Sequence, residues 1–173
     1  MQHLEMTRDI AGAFNHKYPN SFVIPETKVD KRMMIIPGTD GQKMSKSYNN
    51  DIDIFLSDKK LRKQILGIQT DSTPLEDPKE TENCNVFQLY RLLATDEQTT
   101  NLKAKYAAGN FGYGDAKQEL FEVICDKFSD ERDKFNHLIE NKNIIEEELQ
   151  KGAEKARLIA KEVLNRVRKN IGY

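Results

Sequence analysis

A chain of 173 residues, 38% apolar and 32% charged, suits one domain, or one small domain and part of another, and is too apolar to be disordered. Two isolated cysteines, Cys84 and Cys125, exclude a disulfide framework and a zinc cluster and point to a reducing, cytoplasmic setting. No apolar run approaches the ~18 residues that cross a bilayer, the first residues form no signal pattern, and the net charge of -1 conceals a local asymmetry near the end of the chain.

From Gln2 to about Lys17 the pattern is helical: Leu4, Ala11, Phe14 and Tyr18 share a stripe, while Glu5, Arg8, Asp9 and Lys17 mostly face away. This helix opens at the first residue with no cap, which suggests a segment cut from, or encoded within, a larger fold. Phe22-Val23-Ile24 before Pro25, and Arg32-Met33-Met34-Ile35-Ile36 before Pro37-Gly38, are apolar runs of the kind that form buried strands. Helix, strand and loop in this order predict the tail of an open α/β sheet, where ligands bind beyond the carboxyl ends of strands.

The second run delivers the chain into Pro37-Gly38-Thr39-Asp40-Gly41-Gln42-Lys43-Met44-Ser45-Lys46-Ser47. Two ammonium groups and two hydroxyls within five residues, after a turn of Gly, Pro and Asp, suit a polyphosphate. Lysine brings a compact charge on a flexible stem, and Ser hydroxyls with loop N–H groups donate to phosphate oxygens as charge builds on a leaving group. The alternative is an ordinary solvated polar loop.

Tyr48-Asn49-Asn50-Asp51 is turn material, and Ile52, Ile54 and Phe55 lead to Ser57, the expected N-cap of a helix through Leu66 with Leu61 and Ile65 inward. Residues 68–78 form a linker, beyond which the strand signals stop, so the expected boundary falls near residue 70. Residues 71–173 have the pattern of a helical bundle. Val86, Leu89, Tyr90 and Leu93 mark one helix. Leu102 and Tyr106 mark a second, capped by Thr95 or Asp96, and Tyr113, Ala116, Leu120, Ile124 and Phe128 mark a third. Phe135, Leu138 and Ile139 follow. Asn143 with Glu146 has the spacing of a capping box opening the last helix, where Ile145, Leu149, Ala156, Ile159, Val163, Val167 and Ile171 form a stripe expected to face the core. That helix also carries Lys151, Lys155, Arg157, Lys161, Arg166, Arg168 and Lys169, which suit either RNA or a solvated face interspersed with acids. Gly109, Gly112 and Gly114 have the spacing of a helix-to-helix turn and not of a phosphate cradle.

Other chemistries find little support. His3, His16 and His137 are scattered without a Cys or His partner at metal-binding spacing, and no Ser or Cys occupies a nucleophile elbow. His3, Glu5, Arg8 and Asp9 share the first helix and could line a pocket or an exposed face. Phosphate chemistry served by positioning and charge is what remains.

Lys43-Met44-Ser45-Lys46-Ser47 matches, residue for residue, the second signature of class I aminoacyl-tRNA synthetases. Gln2-His3-Leu4-Glu5-Met6-Thr7-Arg8-Asp9-Ile10-Ala11, the Pro-Gly-x-Asp-Gly before the loop, and the end of the chain from Gly152 to Arg157, through Val167-Arg168 and Ile171-Gly172, resemble the bacterial-type tryptophanyl-tRNA synthetases. The resemblance implies a mostly α chain with a small α/β remnant: residues 1–70 as the tail of a Rossmann-like nucleotide-binding domain, and residues 71–173 as an all-helical anticodon-binding bundle. It further implies tryptophan activation with ATP and Mg2+, transfer to tRNA(Trp), and a homodimeric full-length enzyme. By the same resemblance Lys43 and Lys46 neutralise the β- and γ-phosphates as pyrophosphate departs. Met33, Met44, Ser45 and Ser47 complete the ATP-binding set, with Met33 packing by adenine.

One departure from the family is decisive for activity. The first signature, of the His-x-Gly-His type, is absent, since none of the three histidines has a partner at that spacing. The chain alone is therefore expected to be inactive. The rival readings are a non-catalytic helical RNA-binding module and, among enzymes, a tyrosyl-tRNA synthetase.

Overall fold

The computed structural model describes residues 2–28 and 36–173. The chain divides into two compact units, Met1–Lys31 with Leu138–Tyr173, and Arg32–His137. Among the described residues the regular elements are helical: α1 (Gln2–Lys17), α2 (Asp58–Leu66), α3 (Asn85–Leu93), α4 (Asp96–Ala108), α5 (Tyr113–Lys127), α6 (Ser129–Glu140), α7 (Lys142–Ile171) and a one-turn 3-10 helix at Lys46–Tyr48.

The 32–137 unit is built around α5, which packs against α2 and α3, while α3 also meets α4. Ala116, Leu120 and Ile124 recur every four residues on α5 and are all buried, as are Leu61 and Ile65 of α2 and Leu102 and Tyr106 of α4. These are the inward residues that the apolar spacing predicts. Val86, Phe87, Leu89 and Tyr90 bury most of one side of α3. At the start of α4, Thr95 Oγ1 accepts from Gln98 N–H at 3.2 Å and Gln98 Oε1 accepts from Thr95 N–H at 2.9 Å, so Thr95 is the cap. Thr95→Ala is expected to cost about 1 kcal/mol in urea denaturation, because the Gln98 N–H at the helix end loses its acceptor. Ser57 precedes α2 as expected, although its side chain makes no capping hydrogen bond.

Gly109 ends α4 with φ +70°, and a Cβ there would fall 2.3 Å from the carbonyl oxygen of Glu76. Only glycine fits this turn. The connection 68–78 is pinned to the helices instead of hanging free. Lys79 N–H donates to Tyr106 O at 2.9 Å, and the buried Lys79 ammonium donates to the carbonyls of Pro74, Leu75 and Asp77 at 3.0, 3.3 and 3.2 Å. Tyr113 Oη donates to Asp71 Oδ1 at 2.7 Å, and burial followed by that bond pushes its phenol up to about 12.

In the other unit, α1 leads into a turn whose polar groups are closed by side chains. Ser21 is fully buried: its hydroxyl donates to Tyr18 O at 2.8 Å and accepts from Asn170 Nδ2 at 2.7 Å, and its carbonyl accepts from Arg166 Nε at 2.9 Å. Phe14 packs against Tyr18 and Phe22, each at 5.0 Å between ring centroids.

Three expectations fail in this unit. Phe22-Val23-Ile24 is not a strand, and Val23 is 85% exposed. The Asn15 carboxamide takes both backbone groups of Phe22, donating to its carbonyl and accepting from its N–H at 2.8 Å each, and so occupies the bonds a neighbouring strand would need. The second expected run, residues 32–36, lies outside the described residues except for Ile36. The stripe on α7 is not a buried face either: Leu149 and Ile159 are 62% and 70% exposed, and none of its residues is buried. The N-cap of α7 is Asn141, not Asn143, because α6 ends at Glu140 and Asn141 is the single non-helical residue between the two helices.

Candidate functional site

The Lys/Ser loop stands on a tight reversal. Pro37 and Lys43 form an antiparallel bridge, Gly38 N–H donates to Gln42 O at 2.7 Å, and Met44 N–H donates to Ile36 O at 2.8 Å. Asp40 closes the tip by accepting from Gln42 N–H at 2.9 Å, and Gly41 supplies the positive φ of +81° that the turn requires. The chain then crosses Lys43-Met44-Ser45 and enters the 3-10 turn Lys46–Tyr48. Tyr48 N–H donates to Ser45 O at 3.1 Å and Asn49 N–H to Lys46 O at 3.2 Å. Asn49 has φ 52°, in the left-handed region, and turns the chain back under the loop.

Lys43 and Lys46 are both exposed, and among the described residues neither ammonium has an ion-pair partner. The Ser45 and Ser47 hydroxyls lie 2.7 Å apart and bond to each other. Met44 faces the opposite way and packs against the helical core. With Ile36, Ile52 and Ile54 it borders an apolar cavity of about 280 Å3 closed by Leu89, Leu93, Ile124 and Phe128 from the helices and their ends. The loop thus has an apolar underside fixed to the bundle and a cationic outer side free to meet an anion. Met33 lies outside the described residues.

Asn50 is the residue the sequence did not single out. It is 2% exposed beneath an otherwise solvated loop. Its Oδ1 accepts from Ser45 N–H at 2.7 Å, its Nδ2 donates to Asp40 Oδ1 at 2.8 Å and to Lys43 O at 3.2 Å, and its carbonyl accepts from Thr39 N–H at 2.8 Å. Thr39 O in turn accepts from Gln69 N–H at 2.7 Å, so three distant segments are knitted beneath the loop. In the sequence Asn49 and Asn50 are identical turn formers, and only the fold turns one inward.

The Asn50 hydrogen bond, helped by Gln42 N–H, holds the Asp40 carboxyl below its ordinary 3.8. A carboxyl depressed in the fold contributes its order above the unfolded value and loses it as pH falls through the lower folded value. Acidification below about pH 4 is therefore expected to loosen the loop, seen as a shift of the Asn50 side-chain amide protons in NMR spectra; unchanged shifts to pH 2 would count against the contact.

The other candidate groups are not brought together. His3, Glu5, Arg8 and Asp9 are all exposed on α1, with the Arg8 guanidinium donating to Pro25 O. The eight basic residues of α7 are exposed; Lys151 pairs with Glu148 at 2.7 Å and Arg166 is engaged at Ser21. Among the described residues no group of three His, Cys, Asp or Glu side chains could hold a metal ion, and no helix is long and apolar enough to cross a membrane.

The sequence profile of the class I tRNA synthetases (W and Y) matches residues 1–129. The tryptophan--tRNA ligases of Rhodopirellula baltica and Fusobacterium nucleatum are 44% and 46% identical to the chain over 172 residues, 99% of its length. These matches cover 54% and 53% of the two relatives, so the chain spans about half the length of the curated relatives it matches. The crystal structure of the tryptophanyl-tRNA synthetase from Campylobacter jejuni complexed with ADP and tryptophan superposes with a TM-score of 0.85 at 44% identity, over 99% of this chain and 54% of that one.

Proposed function

Because the chain belongs to the class I tRNA synthetases (W and Y), we propose that it is the C-terminal portion of a tryptophan--tRNA ligase and supplies the pyrophosphate-gripping loop of that enzyme. One observation carries the proposal: a K-M-S-K-S loop anchored on its apolar side and presenting two exposed ammonium groups with no acidic partner among the described residues. In this reading the tryptophan carboxylate attacks the α-phosphate of ATP. Lys43 and Lys46 neutralise the charge that develops on the departing pyrophosphate, where fixed cations act more strongly than water does. Ser45 and Ser47, already bonded to each other, order the loop between the two lysines.

The tryptophanyl group then passes to tRNA(Trp). Residues 1–70 are the remnant of the nucleotide domain, with Met33 beside adenine, and residues 71–173 form the anticodon-binding bundle; the compact units of the fold do not follow that division. Magnesium enters with the nucleotide's phosphates in this reading. The full-length enzyme is a cytoplasmic homodimer in this reading. Tryptophan is preferred to tyrosine because the relatives compared above are named for it.

The test is ATP–pyrophosphate exchange. Exchange that depends on tryptophan and not on tyrosine is expected from the loop in its full-length context. The 173-residue chain alone, which lacks a His-x-Gly-His signature, is expected to give none. Exchange driven by tyrosine would overturn the substrate, and tryptophan-dependent exchange by the isolated chain would overturn its inactivity.

A further inference from the structure

We propose that Asn50 is a positioning residue for this loop: its buried carboxamide fixes the two peptide groups on either side of Met44, and so sets the spacing and direction of the cationic segment before any phosphate arrives. The bonds to Lys43 O and Ser45 N–H clamp that short stretch from beneath, and the bond to Asp40 Oδ1 ties it to the tip of the preceding turn. Four of the five residues from Lys46 to Asn50 are exposed, so the burial of Asn50 is local and directed and not a consequence of general packing.

The backbone is shaped to admit this side chain. A Cβ on Gly38 would lie 2.5 Å from both Asn50 Cγ and Nδ2 and 2.6 Å from Asn50 O, so the turn presses its bare backbone against the carboxamide. The chemistry of the site also selects an amide. Lys43 O and Asp40 Oδ1 are acceptors and Ser45 N–H is a donor, so a side chain with both a donor and an acceptor end is required. Aspartate, equal in size, would place a second carboxylate against Asp40 and leave Lys43 O without its donor. Pre-ordering a flexible segment lowers the entropy lost when it closes on a ligand, and interactions completed only as charge moves to the leaving group raise turnover more than binding.

The inference rests on the polyphosphate reading for its consequence but not for its geometry, so the experiment has separable arms. In the wild-type chain, NMR amide exchange should show Ser45 N–H protected at least tenfold more than Ser47 N–H, and equal exchange would overturn the clamp even if no variant folds. Asn50→Asp keeps an acceptor for Ser45 N–H but is pushed off it by Asp40. With inorganic tripolyphosphate as probe, it should lower the Ser45 protection at least fivefold and weaken binding at least tenfold while the helical circular dichroism stays unchanged. Adding Asp40→Asn to Asn50→Asp restores a donor opposite the new carboxylate, and should recover part of both signals. In the full-length enzyme, Asn50→Asp should lower kcat for pyrophosphate exchange more than it raises KM for ATP. Ser45 protection and tripolyphosphate affinity within twofold of wild type in Asn50→Asp, or loss of its helical signal, would overturn the proposal. Failure of the wild-type chain to bind tripolyphosphate would overturn the polyphosphate reading, leaving the clamp to be decided by the exchange data.

Discussion

Replacing Lys43 and Lys46 together by alanine in the full-length enzyme is expected to lower tryptophan-dependent pyrophosphate exchange by about 10⁴-fold. Removing one preorganised donor to a developing anion costs roughly 10²–10³ in rate, and two that serve the same leaving group add incompletely. The loss should fall mainly on kcat. Both ammonium groups are exposed in the free loop, and an exposed charge gains little from a ground-state phosphate in salt. Their advantage comes when the loop closes and water is displaced. Affinity for tRNA, measured by filter binding, should change little. The converse pattern, with exchange retained and tRNA binding lost, would favour a helical RNA-binding module with a vestigial loop.

The second large effect concerns stability. Tyr106→Ala is expected to destabilise the 32–137 unit by about 3–5 kcal/mol, the range for emptying a large aromatic from a core, measured by urea denaturation followed by circular dichroism. Tyr106 is fully buried, with Phe87, Phe111 and Tyr113 at 5.9, 6.1 and 6.1 Å between ring centroids. Its hydroxyl lies 3.5 Å from Cys84 Sγ, and burial pushes its phenol far upward, so it stays neutral at any ordinary pH. Tyr106→Phe should cost only about 1 kcal/mol, because thiol sulfur is a weak partner and the ring packing is retained. A loss for Tyr106→Phe as large as that for Tyr106→Ala would show that the hydroxyl, and not the ring, holds the core.

The helices of the 32–137 unit were legible because their signals are local. Leu61 with Ile65, Leu102 with Tyr106, and Ala116 with Leu120 and Ile124 each repeat at a spacing of four residues, and each set is buried. The same reasoning misjudged α7, whose stripe is as regular but lies largely exposed within its unit. Periodicity reports that a face is apolar and carries no information about what lies opposite. Phe22-Val23-Ile24 failed for a related reason: an apolar, β-branched run favours extended backbone, but a strand also needs a partner, and Asn15 had already taken the bonds.

By itself, the sequence determined the helical character of the chain and the chemistry of its loop, since two lysines and two serines in five contiguous residues are a property of covalent order. The tertiary structure decided which surfaces are covered, and which of two adjacent asparagines turns inward to hold the loop. The contacts that settle those points join Thr39, Asn50 and Gln69, or Ser21 and Arg166. Burial and hydrogen-bond satisfaction depend on groups far apart along the chain, and only the folded arrangement brings them within reach.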